Sequence, residues 1–188
     1  MEKGTIIVLN GVSSSGKSSL AKELIKLLPD FFAFSIDDFD LVIEKMEDRV
    51  GQRLIPIETE YFYYKNVAMF SNRGVNLILD QIIHDPLTLK NFYEALNGYP
   101  VLFVGVHCPV EELLHREQSK GDRRTGLAAS QLEYVHKQEI YDVEVNTFNQ
   151  SLSECAKEIA ERLKSTTPLI GFKKSFELVE NSSFNLNK

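Results

Sequence analysis

The chain has 188 residues, of which 43% are apolar and 26% charged, which suits one domain with a full core and room for a small inserted lid. Its net charge of −6 argues against a protein that coats nucleic acid or an anionic membrane, although a small basic pocket can sit inside an acidic chain. No apolar run approaches the ~20 residues of a membrane span. The start of the chain carries no signal-like segment, and Cys108 and Cys155 have no paired metal spacing, so a cytoplasmic chain with reduced thiols is expected.

Thr5–Asn10 reads as a short buried strand. It runs into Gly11-Val12-Ser13-Ser14-Ser15-Gly16-Lys17-Ser18-Ser19, a phosphate-loop pattern followed by Leu20, Leu24, Leu27 and Leu28 at helical spacing up to Pro29. Glycines at 11 and 16 let the backbone wrap a phosphate chain, and the amides from Ser13 to Ser19 at the new helix terminus face the anion. Lys17 would reach the β- and γ-phosphates of ATP, and the Ser18 hydroxyl would hold Mg²⁺. A Ser-rich capping loop is the plain alternative, but the strand–loop–helix setting favours nucleotide binding.

Phe31–Ile36 reads as a second strand ending in Asp37-Asp38, with a helix from Phe39. One acid can accept a proton from an attacking hydroxyl, or orient it, while the other caps the helix; Asp37 is assigned as base and Asp38 as cap, the swap being the alternative. A helix rich in aromatics covers Ile57–Asn72. Val75–Asp80 is the third strand, and Asp80 at its end is placed to sense the metal, directly or through a water, unless it merely caps.

A helix around Leu87–Leu96 stops at Asn97-Gly98. Val101–Val106 is a fourth strand, apolar throughout like one buried on both faces. The next helix runs from Pro109 to about Ser119. The segment 117–127 then carries Arg123 and Arg124 between Gly121 and Gly126, and Arg116 and Lys120 lie just before it. Guanidinium groups pair with phosphate oxygens, so this segment reads as a closing lid, against a solvated helix end with ion pairs to Glu117 and Asp122. A helix follows over Leu127–Lys137. Tyr141–Thr147 alternates as a last strand, with Asp142 and Glu144 left open between solvation, lid contacts and catalysis. Ser151–Glu154 is a capping box for a helix carrying Leu152, Cys155, Ile159 and Leu163. Residues 165–188 read as a tail frayed at its end. The four histidines lack metal-ligand spacing, and the aromatics at 61–64 lack the basic stripe of a nucleic-acid platform.

Strands alternating with helices imply a parallel sheet covered on both faces, with ligands beyond the strands' carboxyl ends. The chain also resembles the chloramphenicol phosphotransferase family of P-loop kinases. The likeness lies in Leu9–Ser19, Ile36-Asp37, Leu79-Asp80, Val104–Cys108, Arg116-Glu117, Gly121–Arg123, Tyr141–Val145, Glu154–Ala156 and Ile159-Ala160, and spans about residues 5–163. Asp38, Gln81 and Asn146 depart from that pattern, and residues 40–72 match it poorly, although by the same likeness the helices over about 39–72 wall the acceptor pocket. The resemblance implies a five-stranded α/β nucleotide-kinase fold over residues 1–164 and transfer of the ATP γ-phosphate to a primary alcohol of an antibiotic. Asp37 then matches the base, and Arg116 and Arg123 match the arginine-bearing lid region. The expected partner is a small-molecule alcohol, chloramphenicol being one candidate. The alternatives are a metabolite or sugar-nucleotide kinase of the zeta-toxin kind and a non-catalytic nucleotide-dependent switch.

Overall fold

Strand β1 (Ile6–Asn10) is buried at every position. The reason is its place in the sheet. In the computed structural model, which describes residues 2–83, 85–120, 126–137 and 139–185, β1 lies between β3 (Asn76–Gln81) and β4 (Val101–His107). Among the described residues, five strands pair in parallel in the order β2-β3-β1-β4-β5, with β2 at Phe31–Ala33 and β5 at Val143–Asn146. Side chains alternate across a strand, so β1 feeds two cores. Ile6 and Val8 face α3 (Thr59–Asn72), α4 (Pro86–Leu96) and α8 (Gly171–Asn185) through Tyr63, Tyr64, Phe92 and Phe172. Ile7 and Leu9 face α1 (Lys17–Leu27) and α7 (Leu152–Lys164) through Leu20, Leu24 and Ile159. Because β1's neighbours lead away in opposite directions, its carboxyl end is the crevice where such sheets take ligands.

Local side-chain caps set several helix starts. Ser151 accepts from the Glu154 amide while the Glu154 side chain accepts from the Ser151 amide, closing the expected capping box of α7. Asp85 accepts from the Thr88 amide at the start of α4. Elsewhere the boundaries move. β2 stops at Ala33 and α2 begins at Ile36 (Ile36–Met46), with Ser35 as N-cap accepting from the Asp37 amide. Asp37 and Asp38 therefore stand inside the first helical turn, and the capping role expected of Asp38 belongs to Ser35. An acid in that turn is favoured by the helix dipole in any case.

Helix α5 (Val110–Lys120) ends where expected, whereas the helix expected to Lys137 is only α6 (Leu127–Gln131), followed by turns. The largest difference is the tail. Residues 171–185 form α8, whose Phe172 and Val179 are 5% exposed and belong to the core. Asp142 explains the docking. Its side chain, 1% exposed, accepts from the amides of Phe103, Ile170 and Gly171 and pairs with Arg162. Gly171 itself admits no side chain, since a Cβ there would lie 2.7 Å from the Ile140 carbonyl oxygen.

Candidate active site

The register of the sheet brings the candidate groups together. Leu9 pairs with Asp80 and Asn10 with Gln81, so Asp80 stands beside the end of β1, where the chain leaves to form the loop. The loop then turns through Ser14, at φ 59°, and Gly16, at φ 96°, the N-cap of α1. Gly11 is required for a different reason: a Cβ there would lie 2.5 Å from the Val106 carbonyl oxygen. α1 thus starts at Lys17 with Ser18 directed at β3, and the Ser18 hydroxyl donates to Asp80 Oδ2 at 2.7 Å.

A cavity of about 280 Å³ opens over this pair. Of the residues singled out from sequence, Ser14, Gly16, Lys17, Ser18, Ser19, Asp37 and Asp80 line it. Lys17 Nζ lies back on the loop and donates to the Val12 carbonyl at 2.8 Å. Gly11 and Ser13 form the loop's approach without lining the cavity, and the Ser13 amide donates to Gln131 Oε1 at 2.7 Å. The Ser14 and Ser15 hydroxyls are buried without a hydrogen-bond partner among the described residues. Unpartnered buried hydroxyls are costly, and of the two Ser14 lines the cavity.

Arg116 is placed differently from the expectation. It does not line the cavity. Its guanidinium donates to Glu112 Oε1 at 2.8 Å, to the Thr147 hydroxyl and carbonyl at 3.1 Å each, and to the Ser14 carbonyl at 3.3 Å. Thr147 Oγ1 in turn donates to the Ser15 carbonyl at 2.7 Å, so Arg116 and Thr147 brace the outside of the loop. Glu117 is no surface ion-pair partner: at 1% exposure it accepts from the Gly126 and Ala128 amides and fixes the start of α6. Arg123 and Arg124 lie outside the described residues.

Sequence reasoning missed a polar network behind the loop. Asn10, fully buried, donates to the Tyr141 hydroxyl at 2.8 Å and accepts from the Ile83 amide at 2.9 Å. The Tyr141 hydroxyl also bonds His136 Nδ1, and the His136 ring packs at a tilt against His107, which bonds Glu144 at 2.7 Å. Burial, then His107 and Lys17, push the His136 imidazole down to about 3. Gly105 makes room for this group, since a Cβ there would lie 2.7 Å from the Tyr141 ring. Glu60, Gln81, Thr88 and Gln131, which also line the cavity, were equally unforeseen. No local pattern marks any of them; the signal lay in the family likeness, through Asn10 in Leu9–Ser19, Gly105 and His107 in Val104–Cys108, and Tyr141 and Glu144 in Tyr141–Val145.

Known proteins share this chain's sequence pattern and its fold. The family described as chloramphenicol phosphotransferase-like protein matches residues 4–164. A protein of Mycobacterium tuberculosis named as a candidate O-phosphotransferase is 27% identical over 186 residues, covering 86% of this chain and 83% of that protein. Among solved structures, a tunicamycin resistance protein of Deinococcus radiodurans has the same fold, with a TM-score of 0.67 at 19% identity over 87% of this chain and 98% of that one. So does the APS kinase CysC of M. tuberculosis, solved with AMPPNP and APS, with a TM-score of 0.60 at 17% identity over 88% of this chain and all of that one.

Proposed function

The chain belongs to the chloramphenicol phosphotransferase-like family of P-loop kinases, and on that footing we propose that it moves the γ-phosphoryl group of ATP to an alcohol hydroxyl of a small molecule. The observation that carries the reading is the Ser18–Asp80 hydrogen bond of 2.7 Å in the same cavity that Asp37 lines. A hydroxyl and a carboxylate oxygen side by side are hard oxygen donors of the kind Mg²⁺ takes. The unpartnered Ser14 and Ser15 hydroxyls, with no Cβ at Gly11 or Gly16, fit a phosphate chain in the loop.

Bound Mg·ATP supplies the phosphoryl group to be transferred. Ser18 and Asp80 would hold the metal, and Lys17 with the amides of Ser14 to Ser19 would hold the phosphates. Asp37 accepts the proton of the acceptor hydroxyl, or orients that hydroxyl for attack. Arg116 positions the loop through Ser14 and Thr147, and Arg123 and Arg124 stabilise charge on the transferred group. Chloramphenicol, with a primary alcohol, is the first acceptor to test, and a cytoplasmic location goes with the use of ATP.

The test is a panel of acceptors with Mg·ATP: chloramphenicol, other hydroxylated antibiotics, nucleosides, sugars and hydroxy acids, read by mass for a gain of one phosphoryl group. A phosphorylated product is expected. Slow nucleotide hydrolysis with no product from any acceptor would leave a nucleotide-dependent switch instead.

A further inference from the structure

A second cavity of about 620 Å³ opens between α3 and α4 and shares Glu60, Tyr64 and Thr88 with the phosphate site. Its size lies in the usual range for small-molecule pockets. Its lining is acidic: among the described residues that line it, Glu58, Glu60, Asp85 and Glu94 stand against Lys65, with Asp85 engaged at the start of α4 through Thr88 and Glu94 3.8 Å from Lys90. Tyr64 adds an independent observation. The residue is 1% exposed, lines both cavities, and its hydroxyl has no hydrogen-bond partner among the described residues. Burial first, then the carboxylates of Glu60 and Asp85, push this phenol up.

We propose that this groove is the acceptor site and that it selects a hydroxylated molecule carrying a protonated amine. The proposal rests on the phosphotransferase reading above and names the class of its acceptor. An ammonium group is held by the carboxylates around Glu60 and Glu58, Tyr64 gives its hydroxyl a partner, and the apolar part of the ligand lies along Tyr61 and Leu87. The reacting hydroxyl passes Glu60, Tyr64 and Thr88 into the neighbouring cavity, which Asp37 lines. Transfer then follows the balance of any such reaction: the acceptor oxygen bonds phosphorus, the bridge to ADP breaks, and the hydroxyl proton leaves through Asp37. A carboxylate or phosphate on the acceptor would meet like charge in the groove and be rejected.

The test measures binding apart from chemistry. The full chain is titrated at fixed Mg²⁺ with matched pairs of hydroxylated compounds, each offered as the free amine and as its N-acetyl derivative, from amino alcohols to amino-sugar oligomers. Amines should bind about tenfold or more tightly than their acetylated partners, and more weakly as salt rises. Glu58→Gln with Glu60→Gln should bring that ratio close to one. Tyr64→Phe should weaken amine binding several-fold while leaving stability equal or raised, because it removes a buried hydroxyl that lacks a partner. Equal or tighter binding of acetylated or anionic members, absence of any amine binding, or a ratio unchanged in the double variant would each overturn the proposal. Mass analysis of the same mixtures with ATP separates the two readings. An amine bound with the expected preference but never phosphorylated counts against the phosphotransferase, not against the groove's charge preference.

Discussion

Replacing Asp142 with alanine tests how α8 is held to the rest of the fold. The carboxylate accepts from the amides of Phe103 at 3.0 Å, Ile170 at 2.8 Å and Gly171 at 3.0 Å, and lies 3.5 Å from Arg162 Nη2. These amides would not fare alike in the variant. Ile170, 43% exposed, would be rehydrated, whereas Phe103 is fully buried and Gly171 is buried too. Two stranded donors at ~1–3 kcal/mol each give about 4 kcal/mol in all. That figure agrees with the ~3–5 kcal/mol lost when one partner of a buried ion pair is removed. Arg162 keeps the carbonyls of Asp142, Thr167 and Pro168, so its own loss is small. Against a domain stability of ~5–15 kcal/mol the effect is large. It should lower Tm by roughly 10 °C and reduce the urea midpoint. Hydrogen exchange should quicken first along α8, where Phe172 and Val179 leave their core partners. A loss below about 1 kcal/mol, or exchange in α8 no faster than in the parent, would refute the anchoring role.

Three further outcomes can be checked directly. Lys17→Ala should abolish phosphoryl transfer with the far-ultraviolet circular dichroism unchanged; a fully active variant would remove the loop's phosphate-binding role. Asp37→Asn should lower kcat by about a hundredfold or more while nucleotide affinity changes little, as expected of a general base; equal losses in both would contradict that role. His136 should make stability depend on pH. Its imidazole is held down to about 3 by burial, His107 and Lys17, while the unfolded chain takes up a proton near 6.5. The unfolded state therefore binds more protons between those values, and stability should fall with acidification through that window by at most ~1.4 kcal/mol per pH unit. His136→Asn, which tolerates the positive φ of 68° at this position, should flatten the slope between pH 6 and 4; parallel slopes would count against the assignment.

Much of the site was legible because its signals are local. The loop needs glycine where no Cβ fits and where φ is positive, and both demands fall within the loop itself, at Gly11 and Gly16. Strand ends and caps are similar: β1, β4 and the α7 capping box follow from runs of a few residues. Asp37 lines the cavity despite a boundary error, because a helix beginning at Ile36 still brings that residue there. Asp38 did not keep its role, since Ser35, an ordinary-looking residue in an apparent strand, turned out to be the cap.

What the sequence determined by itself is therefore the loop, the order of alternating elements and a parallel sheet with its ligand edge. Those follow from periodicity and backbone stereochemistry over short spans. Tertiary structure alone decided that Asp142 anchors a final helix about thirty residues away, that Asn10, Tyr141 and His136 share one buried network, and that Arg116 braces the loop from outside the cavity. It also decided that four carboxylates line one groove beside the phosphate site. All depend on groups far apart in the chain, and the Asp142 and Asn10 contacts form in a region of low dielectric, where an unsatisfied polar atom is costly. No short stretch of sequence records which distant partner will satisfy it.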